Sequence, residues 1–482
     1  MDRKPNILFI MTDQLRGDSL GYKGHKDVKT PYIDTLASKG IDFSHAYSAC
    51  PNCIAARAAL LTGLSPEHNK RVGYQDNVPW DYERTLPGEL AKAGYYTTCI
   101  GKMHVYPVRR YLGFHNVILH DGYMHASRYE DVPYRENQFY ADDYFHWLKQ
   151  NMGADADSTY TGLDCNSWVA RSWCYEEKYH PTNWVTDNVL DFLRRRDPDM
   201  PFFLMASYLK PHPPLDPPEY YLSRYIDKEL TQPAIGDWET KEFIEKDGRI
   251  FDSKTGPTDP DLVHEMRAAY YALITHLDHQ IGRVIQALIE HKLYDNTLIV
   301  FSSDHGEELG DHYMFRKSRP YEGSCHIPML FSNLEAIGIE GKQGTAIEAV
   351  TELRDIMPTL LDVAGARDDE HYDGKSLLDV IASPDNEPRE YLHGEHSYGQ
   401  FSNHWIVTKH DKYIWYSETG EEQYFNLSED PHELRNLIKA EDKRERISHL
   451  RSSLIKELFS RSEGFTDGKR LISGREYGPL TK

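Results

Sequence analysis

Cysteine is scarce in this sequence, with six in 482 residues. That excludes a disulfide scaffold of the kind small secreted domains use to replace a core. Cys50, Cys53, Cys99, Cys165, Cys174 and Cys325 contain one C-x-x-C pair and no second, so a four-cysteine zinc site has no support. Long apolar runs are also missing, and no stretch suits a membrane span. The N-terminal run NILFIM is short, lacks a small-residue cleavage site and leads straight into polar residues. A secretory signal is therefore not expected, and a cytoplasmic location is. Excess positive charge is the third lack. A formal net charge of −21 excludes a duplex nucleic acid as partner, because no basic field exists to collect phosphates. An anionic substrate would need a local basic cluster. Internal repeats and low-complexity tracts are absent.

What remains is the composition of a soluble globular protein: 39% hydrophobic, 27% charged and 12% aromatic. The length suits one large domain plus a smaller one, or two to three ordinary domains. Four apolar, β-rich runs stand out, each ending in chargeable residues. Asn6–Met11 is followed by Thr12-Asp13-Gln14, and Tyr95–Ile100 by Gly101-Lys102-Met103-His104. Pro201–Ser207 is followed by Lys210-Pro211-His212-Pro213, and Thr297–Ser302 by Asp304-His305-Gly306. Helical patterns at 86–93, 183–195 and 261–291 precede the second, third and fourth runs. Alternating strands and helices predict an α/β fold, a large mostly parallel sheet sandwiched by helices. Ligands of such sheets sit beyond the carboxyl ends of the strands.

Asp13, Gln14, Asp304 and His305 would then converge. Oxygen-rich ligation suits calcium, magnesium or manganese, and the imidazole leans toward manganese. The alternative for each aspartate alone is a cap on the following turn. Two such pairs at equivalent strand ends favour the metal.

The stretch CPNCIAARAALLTG, residues 50–63, reads as a helix from Cys53 to Leu61, rich in alanine and stopped by Gly63. Cys53 and Arg57 fall one turn apart on one face. A nucleophile at a helix N-terminus beside a guanidinium is placed to hold an oxyanion. The competing reading is a thioredoxin-like dithiol, which predicts a small domain and no metal-binding aspartates nearby.

Cys53-Ile54-Ala55-Ala56-Arg57, continuing to Thr62-Gly63, resembles the signature of the type I sulfatases, members of the alkaline phosphatase-like superfamily. PNILFIMTDQ, TPYIDTLASKGIDFSHAYS, the Gly101–His104 element, SDHGEELGDH with Lys317 downstream, VTELRDIMPTLLDVAG and YFNLSEDPHELRNL extend the resemblance over nearly the whole chain. The commonest signature has proline and serine where this chain has Ala55 and Ala56. The resemblance implies that Cys53 is converted to formylglycine, whose hydrate is the nucleophile. It implies one divalent metal, calcium first with manganese or magnesium as alternatives, held by Asp13, Gln14, residue 53, Asp304 and His305. Arg57, Lys102 and Lys317 would hold the sulfate. His212, with Lys317 as a second candidate, would protonate the leaving oxygen, and His104 would take a proton from the diol to expel sulfate. Each of these lysines and histidines also has an ordinary reading as a surface or turn residue. With 24 histidines in the chain, most are structural; His264, His276 and His279 are examples. Asp311 and His312 are assigned a structural role, and Cys50 that of a bystander. The maturation partner implied is a formylglycine-generating enzyme of the anaerobic radical type, which tolerates alanine at the third position.

From about 365 to 390 the sequence turns polar. Short strands at 404–410, 411–417 and 421–427 and a helix from about Glu433 to Arg461 predict a small antiparallel sheet with one covering helix. The expected division is 1–375 for the catalytic α/β domain and 376–482 for the C-terminal α+β subdomain. His393–Gly399 and Asn166–Tyr175 are candidates to reach the substrate. That substrate is expected to be a small-molecule or saccharide sulfate ester. His305 stands where many sulfatases have asparagine. Uronate 2-sulfatases and phosphonate monoester hydrolases can have histidine there, so phosphonate monoester or phosphodiester hydrolysis at the same site is the first rival. A binding protein with unmodified Cys53 is the second.

Overall fold

The structure is a computed structural model. It describes residues 4–122, 142–163, 165–238, 255, 259–368, 370–383, 387 and 389–481, the side chains of 159 and 160 excepted. Residues 369, 384–386 and 388 of the polar stretch expected near the domain join lie outside the described residues.

β1 (Asn6–Asp13) is buried along its whole length, as a central strand must be. Its side chains alternate: Leu8 and Ile10 join the core on one face of the sheet, and Ile7, Phe9 and Met11 the core on the other. Around it run β2 (Gly40–Tyr47), β3 (Tyr96–Gly101), β4 (Asn116–Leu119), β5 (Phe202–Pro211), β6 (Thr297–Ser303), β7 (Met329–Ser332) and β8 (Thr345–Glu352). They form one 8-stranded sheet in the order β4-β3-β5-β1-β6-β7-β2-β8. β7 pairs antiparallel with both neighbours, and every other pairing is parallel. The expected mostly parallel sheet is therefore present. The helix Pro260–Glu290, started by Pro260 after an Asp259 cap, packs one face with the helix Pro181–Arg195. The helices Cys53–Thr62, Leu86–Lys92 and Ile356–Val363 pack the other. Four adjacent strands, β3, β5, β1 and β6, end side by side, and these are the four runs read from the sequence.

A second, 4-stranded sheet has the order β12-β11-β10-β9, built from β9 (Leu392–His396), β10 (Asn403–Val407), β11 (Lys412–Tyr416) and β12 (Glu422–Phe425). All its pairings are antiparallel. One face carries Ile406, Tyr413 and Trp415 against Ile447, Leu450 and Leu454 of a covering helix. The other carries Trp405, Val407, Ile414 and Phe425 against Tyr47, Ala49 and Tyr321. That covering helix is Arg444–Glu457, shorter than the span from Glu433 to Arg461 expected from the sequence. The physical reason is Glu433. It has a positive φ of 56°, its buried carboxylate pairs with Lys412 at 2.8 Å, and its carbonyl accepts from Trp238 Nε1 at 2.8 Å. The segment that read as a first helical turn is instead tied to Lys412 of β11 and to Trp238.

Candidate active site

The site lies at the carboxyl ends of the four adjacent strands. Asp13 ends β1, and Asp304 and His305 follow β6 one residue beyond the last β1–β6 pair, Thr12 with Ser303. Parallel register therefore sets the two aspartates side by side. Cys53 arrives from elsewhere. It opens a wholly buried helix whose cap, Asn52, accepts from the Ala55 N–H at 3.0 Å, and Gly63 ends that helix in the left-handed region. The ligand atoms of Asp13, Cys53, Asp304 and His305 all lie within 4.8 Å of one another, and all four residues are buried.

Three cations surround this cluster. Lys102 Nζ donates to Asp13 and lies 3.6 Å from Cys53 Sγ. Lys317 Nζ lies 3.3 Å from the same sulfur and 2.8 Å from Gln14 Oε1. Arg57, one turn after Cys53, donates from Nε to Asp304 Oδ2 at 2.9 Å and from Nη1 to the Lys102 carbonyl at 2.8 Å and Ser207 Oγ at 3.0 Å. It is wholly buried, so in this structure it acts on the site through Asp304. Burial and Asp13 push the Cys53 thiol up, but Lys102, Lys317 and His305 outweigh them and leave it below its ordinary value. Burial likewise works against the Asp13 carboxylate, which the Lys102 and Lys317 ammonium groups nevertheless hold well below the usual range. Such a centre favours negative charge at residue 53.

The donor set fits a divalent cation. Two buried carboxylates face an imidazole whose Nδ1–H donates to the Gly306 carbonyl at 2.9 Å, which leaves the Nε2 lone pair on the cluster side. Gln14 has a positive φ of 68°, and its N–H donates to Asp304 Oδ1 at 3.1 Å. Its side-chain oxygen meets Lys317 and its amide nitrogen donates to Glu307, so the expected carbonyl ligand is here engaged by protein.

The two histidines stand on opposite supports. His212 follows β5. Its backbone N–H donates to the Asp13 carbonyl at 3.1 Å, and its Nδ1 bonds the Pro213 carbonyl at 2.6 Å. Burial and Lys317 hold its imidazole well below the ordinary value, so it is neutral in the free protein. His104 has a positive φ of 61°, a conformation that must be imposed on a non-glycine residue. Asp121 imposes it by accepting the Met103 N–H at 2.6 Å and the His104 N–H at 2.9 Å.

Residues 5–366 match the family profile described as Sulfatase, and residues 310–459 that described as N-sulphoglucosamine sulphohydrolase, C-terminal. The chain belongs to the sulfatase family. An arylsulfatase of Clostridium perfringens is 50% identical over 471 residues, covering 98% of this chain and 98% of its own. A choline-sulfatase of Rhizobium meliloti is 30% identical, covering 90% and 82%. The phosphonate monoester hydrolase of Agrobacterium radiobacter superposes with a TM-score of 0.77 at 25% identity, covering 94% and 95%. A protein solved with its substrate D-glucosamine-2-N,6-O-disulfate superposes at 0.72, with 22% identity over 95% and 98%, a likeness of fold. This sulfatase is thus a sulfuric ester hydrolase with the alkaline phosphatase-like fold.

A cavity of about 460 Å³ opens onto the sulfatase site. Cys53, Lys102, His104, His212 and Lys317 line it, so the expected residues outside the metal cluster reach it, Arg57 excepted. His396, Ser397 and Tyr398 also line it, from the C-terminal segment expected to reach the substrate. Of the aromatic stretch from 166 to 175, Asn166 does so. Asp311 pairs with Arg16 at 2.8 Å, and the His312 ring lies tilted against Trp238 with centroids 4.7 Å apart. Asn52, Asp121 and Glu307 escaped the sequence reading. For Asp121 the signal was present: it follows the apolar run of β4, a fifth strand end with polar residues. Asn52 had the signal of a cap before an alanine-rich helix. Glu307 had none.

Proposed function

We propose that this sulfatase hydrolyses an aryl or saccharide sulfate monoester to alcohol and sulfate, with formylglycine made from Cys53 as the source of the nucleophile. The observation that supports this most is the position of Cys53: first residue of a buried helix, within 4.8 Å of the ligand atoms of Asp13, Asp304 and His305. A divalent ion bound by Asp13, Asp304, His305 and residue 53, with Gln14 completing the set once released from Lys317, would supply Lewis acidity and neutralise sulfate oxygens. Calcium suits the oxygen-rich donors first, with manganese or magnesium next.

The protein's own groups do the rest. Lys102 and Lys317 flank the sulfur of residue 53 and are placed to hold the sulfate oxygens. Arg57 fixes Asp304 and, through the carbonyl of Lys102, the turn that carries that lysine. His212 keeps Nδ1 on the Pro213 carbonyl, which leaves Nε2 for the ester oxygen. The negative charge of the arriving ester favours the imidazolium, which can then give its proton to the departing alkoxide. His104 stands 3.7 Å from Asp76 and serves as the base that takes the diol proton when sulfate is expelled. Ala55 at the third signature position suits a radical-type maturase. The division 1–375 and 376–482, with the second unit lending His396–Tyr398 to the cavity wall, and a cytoplasmic location belong to the same proposal.

The arylsulfatase relative and the neighbour solved with a sulfated glucosamine support the substrate class. The test combines mass spectrometry with kinetics. The Cys53 peptide of the natively matured protein should be about 18 Da lighter than its thiol form, the change expected when thiol becomes aldehyde. Turnover of p-nitrophenyl sulfate should exceed that of a phenyl phosphonate ester. Chelation should abolish it, and metal analysis of the active protein should identify the ion. Unmodified Cys53 in fully active protein would refute the proposal. Faster phosphonate than sulfate turnover would transfer it to the phosphonate reading.

A further inference from the structure

His212 sits on a loop that the backbone cannot hold by itself. Strand β5 carries extra length here: Met11 of β1 pairs with Ser207, but Asp13 pairs with Pro211. Pro211, Pro213 and Pro214 then follow in close order, and none has an N–H to donate. Every residue from Pro211 to Pro218 is buried, so the carbonyls of this turn need partners from within the protein.

Lys210 provides them. Its ammonium donates to the Pro214 carbonyl at 2.6 Å, reaches the His212 carbonyl at 3.4 Å, and pairs with the Asp216 carboxylate. An ammonium has three donors, and these are three acceptors spread from His212 to Asp216 of one loop. Lys210 and Asp216 are both 0% exposed. Asp216 adds its own N–H to the Pro214 carbonyl at 3.0 Å. A charge pair this deep is a poor source of stability, since apolar residues of like volume commonly do as well. What an apolar pair cannot reproduce is a hub that gathers the carbonyls of His212 and Pro214.

We propose that the buried Lys210–Asp216 pair consists of positioning residues that set the His212 imidazole against the leaving oxygen of the sulfate ester. The inference rests on the reading of His212 as the acid that protonates that oxygen. Lys210 and Asp216 touch no substrate. They act by fixing the carbonyls of His212 and Pro214, and thereby the aim of Nε2.

The test is a leaving-group series of aryl sulfates, from p-nitrophenyl to p-methoxyphenyl sulfate, with rates normalised to the converted fraction of residue 53. The variants are His212→Ala, the paired replacement Lys210→Met with Asp216→Leu, which leaves no orphan charge, and Lys210→Arg. A well-departing nitrophenolate needs little protonation, while a methoxyphenolate needs it most. The paired variant should lose no more than about 3-fold in kcat on the nitrophenyl ester and about 30-fold or more on the methoxyphenyl ester, with KM little changed, a part of the roughly 100- to 10,000-fold that general acid catalysis contributes. Lys210→Arg keeps the charge with a different donor geometry, so it should show a smaller steepening of the same sign. It provides the reading if the paired variant does not accumulate folded. Equal loss along the series in the Lys210 variants, with a steep series in His212→Ala, would overturn the inference and leave His212 its role. A flat series in His212→Ala would refute that role, and the inference with it.

Discussion

Replacing Arg57 with methionine should destabilise the metal-stripped protein by about 4 kcal/mol, and neutralising Asp304 as well should add little to that loss. The guanidinium is wholly buried and makes three hydrogen bonds, to Asp304 Oδ2 at 2.9 Å, the Lys102 carbonyl at 2.8 Å and Ser207 Oγ at 3.0 Å. The bond to a carboxylate is worth about 1.5–3 kcal/mol, and the two to uncharged acceptors are taken at the low end, about 1 kcal/mol each. That sum matches the roughly 3–5 kcal/mol for removing one partner of a buried ion pair. With 482 residues, the unfolding entropy is on the order of 1 kcal/mol per kelvin, so the melting temperature should fall by about 4 °C. Asp304 keeps the N–H groups of Gln14 at 3.1 Å and His305 at 3.0 Å, so the penalty comes from the missing cation. Asp304→Asn in the methionine background should therefore cost little, giving an interaction energy of about 2–3 kcal/mol in a double-mutant cycle read by thermal unfolding in chelator. Additive losses, or an Arg57→Met variant within about 1 kcal/mol of the parent, would refute the argument that Arg57 works through Asp304.

Asp121→Ala should lower kcat on p-nitrophenyl sulfate by about 10- to 100-fold with little change in KM, because the buried N–H groups of Met103 and His104 lose their acceptor; Asp121→Asn should retain most of the rate. Cys50→Ala should keep activity within about 2-fold, whereas a dithiol mechanism would require that thiol. His312, pressed down from 6.5 to about 4 by burial against the pull of Asp311, should make stability depend on pH. Its folded value lies below its unfolded one, so the stability is present above pH 6.5 and is lost as pH falls toward 4, by up to about 3 kcal/mol. Thermal unfolding of His312→Asn should show that slope reduced by the same amount, and an unchanged slope would count against the assignment.

Much of the fold was legible because its central strands are the most apolar. β1, β3, β5 and β6 are interior strands buried on both faces, so each reads as an unbroken run. β2, β4, β7 and β8 were not recognised as strands. β4 and β7 span only four residues each, and β8 begins with exposed Thr345 and Ala346. The candidate site was legible for a related reason: strand ends are short in sequence and rich in chemistry. What the sequence could not show was which partner each polar side chain would take. Gln14 is the example. Its type permits a carbonyl ligand, yet its oxygen meets Lys317, a residue 303 positions away. The length of the last helix was misjudged likewise, because the fate of Glu433 depends on Lys412 and Trp238.

The pairing of β1 with β6 carries a consequence for how this centre can be altered. The strands match residue for residue from Asn6 with Thr297 to Thr12 with Ser303, so the cage that Asp13 and Asp304 form is fixed by the register of two backbones. One residue inserted or deleted in either strand would slide one aspartate by about 3.3 Å and turn its side chain to the other face. The core could repack around such a slip. The cage could not, so these two strands should accept changes of side chain far more readily than changes of length.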